Sequence, residues 1–270
     1  MAATISAAWD CHAHLFGPYL RYPLAGQRSY TPPEATQAAY TALLESLALG
    51  RAVLVHPSAY GTDYRLLLDT LAMQPRWRGV LVSADATPAT LRAWRAAGIR
   101  ALRFSHRSAG NFAGSALLAD LHRLAPAMAD AGLHAELWTD TRALPDIAAL
   151  LQALPVTVVL DHMAGFDPSA GTGAPGFRIL LDLVQGHRVW VKLCAYRNLR
   201  DAPAPELGKA FQQALVAANP DHLVWGSDWP HLNLQPTPAT RGLMDDFLRW
   251  ADDPAMAQRI LVENSQRLYA

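Results

Sequence analysis

Short apolar runs recur along the chain, and longer stretches with helical spacing of apolar residues separate them. Eight of the short runs have the length of β-strands and are bounded by turn residues, which is typical of β-strands. They are Ala8–Cys11, Ala52–His56, Gly79–Ser83, Ile99–Phe104, Leu133–Trp138, Val156–Leu160, Val189–Leu193 and Leu223–Trp225. Most are continuously apolar, as expected for strands that are buried on both faces of a parallel sheet.

The stretches between these runs predict helices. They are Pro33–Leu49, Asp63–Met73, Thr87–Ala97, Leu117–Ala131, Arg142–Ala153, Phe177–Gln185 and Pro205–Ala218, with a last barrel helix at Pro254–Tyr269. Eight alternations of strand and helix predict an α/β fold, a slightly distorted (β/α)8 TIM barrel. A doubly wound open sheet also alternates, but eight units in 270 residues fit a barrel better. No shift in composition marks a second domain, so we expect a single domain over residues 1–270.

The charge balance and the cysteine content of the chain limit the kinds of molecule that we expect it to bind and the compartment in which we expect it. The chain has 23 basic and 23 acidic residues and a formal net charge of zero, which gives no electrostatic case for nucleic acid or an anionic membrane. No apolar run approaches the roughly 20 residues of a membrane span, and the N-terminus lacks the features of a signal peptide. Two cysteines, Cys11 and Cys194, do not make a disulfide framework. We therefore expect a cytoplasmic monomer or small homo-oligomer that acts on a small molecule.

Polar side chains stand where the predicted strands end. His12 and His14 close the first strand, and residues i and i+2 of a strand point to the same side. His162 follows the sixth strand and Asp228 the eighth. Because the C-terminal ends of barrel strands share one mouth, we expect these four side chains to converge there. Such a set either binds a metal ion or holds an acyl group next to a base, so the sequence predicts a hydrolase.

The chain resembles the amidohydrolase superfamily, specifically the branch of 2-pyrone-4,6-dicarboxylate lactonase and its relatives. The resemblance rests on Asp10-Cys-His-Ala-His-Leu-Phe-Gly-Pro18, Arg28-Ser-Tyr-Thr-Pro32, Ser58, Gly61-Thr-Asp63, Arg103-Phe104, Leu160-Asp-His-Met163, Val189-Trp-Val-Lys192 and Val224-Trp-Gly-Ser-Asp-Trp-Pro-His231. It implies a lactone hydrolase with an arginine pocket for two carboxylates, for which Arg103 and Arg197 stand at matching places. Two departures from the family pattern concern the substrate: Arg107 comes early, and Ala164-Gly165-Phe166 replaces a common Gly-Arg.

The sequence allows two hypotheses about whether the site binds a metal ion. A binuclear centre needs a bridging carboxylate or carboxylated lysine and two more histidines, which the ends of the fourth and fifth strands do not offer. One divalent ion, Zn²⁺ or Mn²⁺, could be bound by His12, His14, His162 and Asp228. The resemblance implies catalysis without a metal, in which the histidines polarise the ester carbonyl. We therefore expect no cofactor, with a single divalent ion as the alternative.

The leading hypothesis is hydrolysis of a small anionic lactone of a di- or polycarboxylic acid, in aromatic or sugar-acid catabolism. Asp228 acts as the general base, and His12, His14 and His162 stabilise the oxyanion. The substrate-binding candidates are Arg103, Arg197, Tyr30, Ser58 and Arg107. Burying Arg103 and Arg197 without anionic partners would be costly, so we expect substrate carboxylates to meet them.

Three alternatives remain beside this hypothesis. The first is a sugar-acid (aldarate) lactonase or a lactone isomerase, and the second is a mononuclear metal-dependent hydrolase or decarboxylase. The third is a binding protein on a barrel that has lost its catalytic activity. The complete set of three histidines and one aspartate speaks against the third.

Overall fold

The fold is seen in a computed structural model, which describes residues 7–106, 116–187, 189–200, 206–234 and 236–270. In this part of the chain, eight strands form one sheet in chain order, and each neighbouring pair is parallel. The strands are Trp9–Ala13 (β1), Arg51–Val55 (β2), Arg78–Leu81 (β3), Ile99–Ser105 (β4), His134–Trp138 (β5), Val158–Leu160 (β6), Val189–Leu193 (β7) and Leu223–Trp225 (β8). All eight predicted strands are confirmed, with ends that differ by at most two residues.

Contacts between the first and last strands close the sheet into a barrel. Ala13 and Trp229 form a parallel bridge, and the His14 backbone N–H donates to the Trp229 carbonyl at 2.8 Å. The Asp228 backbone N–H donates to the His12 carbonyl at 2.7 Å. The closed (β/α)8 barrel is the fold that the sequence predicts, and its closure sets the histidines of β1 beside Asp228.

Helices alternate with the strands. They are Gln37–Ser46 (α1), Arg65–Met73 (α2), Pro88–Ala96 (α3), Leu118–Asp130 (α4), Leu144–Ala153 (α5), Pro175–Gln185 (α6), Tyr196–Leu199 (α7), Leu207–Ala218 (α8), Thr240–Ala251 (α9), Pro254–Gln258 (α10) and Ser265–Tyr269 (α11), with a π-helical turn at Arg259–Asn264. The helix α9, which buries Met244, Phe247 and Trp250, was not among the predicted helices. The predicted last helix is divided into α10, the π-helical turn and α11. No helix in the described ranges is long and apolar enough to cross a membrane.

The barrel interior is layered. A lower layer of small apolar side chains, including Val53, Val80 and Val224, packs against Tyr269 of the last helix. Above it lies a charged layer, which begins where the Tyr269 hydroxyl donates to the Glu136 carboxylate at 2.8 Å. The third layer, at the C-terminal ends of the strands, contains the predicted site. The fold therefore sets the site on a rigid, fully buried base.

Candidate active site

The end of β8 lies unusually close to β1. A Cβ atom on Gly226 would lie 2.7 Å from the His12 Cβ, a distance that real Cβ contacts do not show, so only glycine fits. Two residues later, Asp228 has a left-handed backbone with φ of 56°. The Asp10 carboxylate holds this loop, because it accepts from the Ser227 backbone N–H at 2.8 Å and from its hydroxyl at 2.5 Å. Together these features fix the Asp228 carboxylate inside the mouth.

Three imidazoles surround Asp228, as the spacing of the motifs predicts. Its Oδ1 lies 3.3 Å from His14 Nε2 and 3.7 Å from His12 Nε2, and its Oδ2 lies 3.4 Å from His162 Nε2. All four side chains are nearly buried, with His14 the most exposed at 9%. His12 Nε2, both ring nitrogens of His162 and Asp228 Oδ1 have no hydrogen-bond partner among the described residues. These buried polar atoms are therefore unsatisfied within the described part of the protein, which is typical of a functional site.

His162 reaches this position through a left-handed turn after β6. The φ angles of His162, Met163 and Ala164 are 51°, 53° and 51°, and Gly165 follows at 54°. A left-handed conformation costs about 1–2 kcal/mol for each residue other than glycine. The Asn198 amide holds the turn, because it donates to the His162 carbonyl at 2.8 Å. Such strained turns concentrate at functional sites.

The carboxylate of Asp228 is held in its ionised form. It accepts hydrogen bonds from the Arg197 Nε and, at 2.8 Å, from the Tyr196 hydroxyl. Burial alone would raise the pKa of Asp228, but the Arg197 guanidinium and the His162 imidazole hold it well below its ordinary value. Asp228 is therefore an anion at neutral pH and can accept a proton.

Both arginines of the predicted carboxylate pocket have partners within the protein. Arg103 Nε donates to Asp161 at 2.7 Å, and Arg197 forms an ion pair with Asp228. Arg197 lies in the short helix α7 and not at the end of a strand, where the sequence had predicted it. Burial of their charges therefore does not by itself require a substrate carboxylate, contrary to the premise drawn from the sequence. Their side chains remain 17% and 27% exposed, so neither arginine is fully enclosed by the protein.

The remaining substrate-binding candidates divide into two groups. The Tyr30 hydroxyl is hydrogen-bonded to the Ser58 side chain and lies within electrostatic range of Arg103 and Asp228, and burial raises its pKa. Tyr30, Ser58 and Arg103 thus share one side of the mouth. Arg107 lies outside the described residues, and its role stays a prediction.

A buried charged network beneath the histidines was missed by the sequence analysis. Lys192 of β7 donates to Glu136 of β5 at 2.6 Å, lies 3.4 Å from Asp161 and contacts His12 Nδ1 at 3.1 Å. Lys192, Glu136 and Asp161 are fully buried. The available signal was a lysine within the apolar run Val189–Leu193, one of only two lysines in the chain. With Arg103, the network has two positive and two negative groups, so it is electrically balanced.

The distances alone would allow one metal ion. Ligand atoms of His12, His14 and Asp228 lie within 4.8 Å of one another, as do those of His162, Cys194 and Asp228. A metal-binding histidine also needs an acceptor for its other ring nitrogen. His14 has one, since its Nδ1 lies 2.8 Å from the Val55 carbonyl oxygen. His12 instead has the Lys192 ammonium beside its Nδ1, so the donor set meets the distance requirement but not the hydrogen-bonding requirement.

The chain is similar to known proteins over nearly its whole length. A family model described as amidohydrolase matches residues 9–270. A 2-pyrone-4,6-dicarboxylate hydrolase of Comamonas testosteroni is 32% identical over 278 residues, covering 98% of this chain and 90% of the relative. A 4-sulfomuconolactone hydrolase of Hydrogenophaga intermedia is 30% identical, covering 97% and 88% of the two chains.

Two further similarities extend the comparison. A D-galactarolactone isomerase of Agrobacterium fabrum is 27% identical, and the match covers 97% of this chain and 90% of the relative. The crystal structure of a proposed 2-pyrone-4,6-dicarboxylic acid hydrolase from Pseudomonas putida superposes with a TM-score of 0.82 at 30% identity, covering 97% of each chain. Three of these four relatives are named as hydrolases, of a pyrone dicarboxylate or a lactone, and the fourth is named as an isomerase of a lactone.

Proposed function

Because the chain belongs to the amidohydrolase family, we propose that it is a hydrolase that opens small carboxylate-bearing lactones without a metal ion. The observation that carries this function is the position of one ionised carboxylate, Asp228, among three imidazoles, two of which, His12 and His162, have ring nitrogens without a hydrogen-bond partner in the described part of the protein. A base and several hydrogen-bond donors around one point are what acyl transfer to water requires. The lactone hydrolases among the relatives support the same reaction.

The reaction proceeds in two steps at this point. Asp228 takes a proton from water while the water oxygen forms a bond to the lactone carbonyl carbon. Hydrogen bonds from His12 and His162 stabilise the oxyanion of the tetrahedral intermediate. The bond between this carbon and the ring oxygen then breaks, and Asp228 returns its proton to the ring oxygen. The products are a carboxylic acid and a hydroxyl group on one open chain, and such proton transfer contributes about 10²–10⁴-fold to the rate.

Arg197 links substrate binding to the strength of the base. In the free protein its guanidinium pairs with Asp228, and 27% of its side chain is exposed. A substrate carboxylate competes with Asp228 for the same donors, because guanidinium binds carboxylates by paired hydrogen bonds. As the ion pair with Asp228 loosens, the pKa of Asp228 rises and its ability to accept a proton increases. An anionic substrate thereby promotes its own hydrolysis.

The second carboxylate of a substrate binds on the side of Arg103. The exposed part of its guanidinium lies near the Tyr30 hydroxyl, which is hydrogen-bonded to Ser58. One cation and two hydroxyls provide the donors that a carboxylate needs. Arg107 is the remaining candidate for this pocket.

A second candidate function is isomerisation of a sugar-acid lactone, which the similarity to D-galactarolactone isomerase favours. The same base could move a proton while a different hydroxyl attacks the carbonyl carbon. Hydrolysis consumes water and releases an acid, whereas isomerisation does neither. Acid release therefore separates the two reactions.

The experiment is an acid-release screen with a pH indicator over lactones of dicarboxylic, sulfonated and aldaric acids, each with and without chelator. We expect turnover of dicarboxylate lactones that chelator does not reduce. Loss of activity in chelator and recovery with Zn²⁺ or Mn²⁺ would favour the single-metal alternative. Consumption of aldarate lactones without acid release would favour the isomerase, and inactivity across the panel would contradict both.

A further inference from the structure

A buried lysine lies behind one of the histidines, on the side away from Asp228. Lys192 Nζ is 3.1 Å from His12 Nδ1, and the other ring nitrogen, Nε2, is 3.7 Å from Asp228 Oδ1. Neither Lys192 nor His12 is exposed to solvent. The imidazole ring of His12 therefore connects the buried ammonium group with the space in which a substrate carbonyl would lie.

The direction of the hydrogen bond between them follows from the charge on Lys192. Burial alone would lower the pKa of Lys192, but the carboxylates of Glu136 and Asp161 outweigh this effect and raise it above its ordinary value. The side chain is thus an ammonium group, which has three hydrogen-bond donors and no acceptor. In the contact with Lys192, His12 Nδ1 must provide the lone pair, and the proton of a neutral ring then resides on Nε2.

The opposite arrangement would need an acceptor for a proton on Nδ1. Asp161 Oδ1 is the nearby carboxylate oxygen. It lies 3.4 Å from Nδ1 and 3.4 Å from Lys192 Nζ, so its contact with the ring is long and is shared with the ammonium group. Lys192 is nearer to His12 Nδ1, at 3.1 Å, and its geometry satisfies a hydrogen bond. The ammonium group therefore determines the tautomer.

His14 shows the reverse pattern only two residues away. Its Nδ1 lies 2.8 Å from the Val55 carbonyl oxygen, which can only accept, so this nitrogen carries a proton. A histidine that binds a metal through Nε2 typically has this arrangement, with its other nitrogen donating to a carbonyl or a carboxylate. His12 departs from it because its neighbour is a donor.

We propose that Lys192 is a positioning residue that keeps the proton of His12 on Nε2, so that His12 donates to the substrate carbonyl and does not ligate a metal ion. The role of His12 at the carbonyl rests on the lactone hydrolysis proposed above, whereas the position of its proton does not. Lys192 thereby makes one of the two histidines of β1 a hydrogen-bond donor.

The tautomer is measured directly by NMR on the free protein. Long-range proton–nitrogen correlation spectra distinguish protonated from unprotonated ring nitrogens, and the His12→Gln variant assigns the signals of His12. We expect a protonated Nε2 and an unprotonated Nδ1 at neutral pH. A protonated Nδ1 would overturn the assignment, whether or not any lactone is a substrate.

A matched pair of variants isolates the lysine. Removing Lys192 alone would leave two buried carboxylates with too little positive charge, so we pair Lys192→Met with Glu136→Gln, which restores the balance. The Glu136→Gln single variant, which retains the lysine, is the control. In the double variant we expect the His12 proton to move to Nδ1, where Asp161 can accept it, whereas the control keeps it on Nε2. An unchanged tautomer in the double variant would contradict the role of Lys192.

Kinetics and metal binding provide two further readouts on the same pair. Loss of one oxyanion donor costs about 10²–10³ in kcat, so the double variant should lose this factor relative to the control, with little change in KM. Titration with Zn²⁺ alone should show that the double variant gains a site that the wild type and the control lack. If the double variant does not fold, the wild-type NMR spectrum and the wild-type Zn²⁺ titration still test the position of the His12 proton and the absence of metal binding. Wild-type protein that binds Zn²⁺ with a change in the His12 signals would refute the inference.

Discussion

Replacing Arg197 by methionine tests how the base is kept ionised. Asp228 is 1% exposed, and burial on its own would raise its pKa. The Arg197 guanidinium and the imidazoles hold the pKa well below 3.8 in the free protein. An arginine beside an aspartate lowers its pKa by about 1–3 units, which corresponds to roughly 1.4–4 kcal/mol. Arg197→Met should therefore raise the pKa of Asp228, because the buried carboxylate loses its guanidinium partner.

The assay is the pH dependence of kcat/KM with a neutral lactone, because kcat/KM reports the ionisation of the free enzyme. A base must be ionised to act, so activity falls as the pH drops through its pKa. The wild-type profile should stay flat into acid, and the fall in Arg197→Met should begin at a higher pH than in the wild type. Arg103→Met is the control, because Arg103 pairs with Asp161 and should leave the profile in place. If kcat/KM falls at the same acidic pH in the wild type and in Arg197→Met, the reasoning is wrong. Recovery of full activity on return to neutral pH is required of both proteins, because it shows that the fall is not due to acid unfolding.

Two further predictions concern substrate charge and acid stability. Arg103→Met should raise KM for a dicarboxylate lactone by about tenfold or more, since losing one partner of a buried charged hydrogen bond costs about 2–5 kcal/mol. A neutral lactone of the same ring should change little, and an equal loss for both substrates would contradict the carboxylate pocket. Burial lowers the pKa of His134 from 6.5 to about 3, so unfolding is favoured by about 1.4 kcal/mol per pH unit as the pH falls between these values. The His134→Gln variant should flatten this slope in urea unfolding between pH 7 and pH 5, whereas an unchanged slope would show that His134 is not the group responsible.

The sequence predicts the barrel well because its strands are buried on both faces. A continuous apolar run such as Leu223–Trp225 can be recognised as a buried strand without knowing which strands lie beside it. The helix α9 was not predicted, although Met244, Phe247 and Trp250 have helical spacing and are buried. It is an additional helix after β8, and the simple alternation of one helix with each strand does not include it.

The four central residues of the site were also predictable, because barrel geometry brings strand ends together. His12, His14, His162 and Asp228 each stand at such an end, so the topology alone placed them in one mouth. Their pairing with other charged groups could not be predicted in this way. The ion pair of Arg197 with Asp228 depends on the turn of α7, which is a local conformation that the sequence pattern does not specify.

The charged layer beneath the site was missed for a related reason. Lys192 and Glu136 lie in the middle of two strands that are not adjacent in the sheet, and 56 residues separate them in the chain. A lysine in an apolar strand indicates that some partner exists, because an unpaired buried charge is costly. Only the closed barrel shows that the partners are Glu136, Asp161 and His12.

The most direct measurement of the central claim is kcat of the Asp228→Asn variant on the lactone that the wild type turns over. The amide has the size of the carboxylate and cannot accept the proton of water as a base does. If Asp228 is the general base among the three imidazoles, kcat should fall by about 10²–10⁴-fold in a protein whose unfolding transition shows that it is folded. A folded Asp228→Asn variant with near-wild-type kcat would contradict the account.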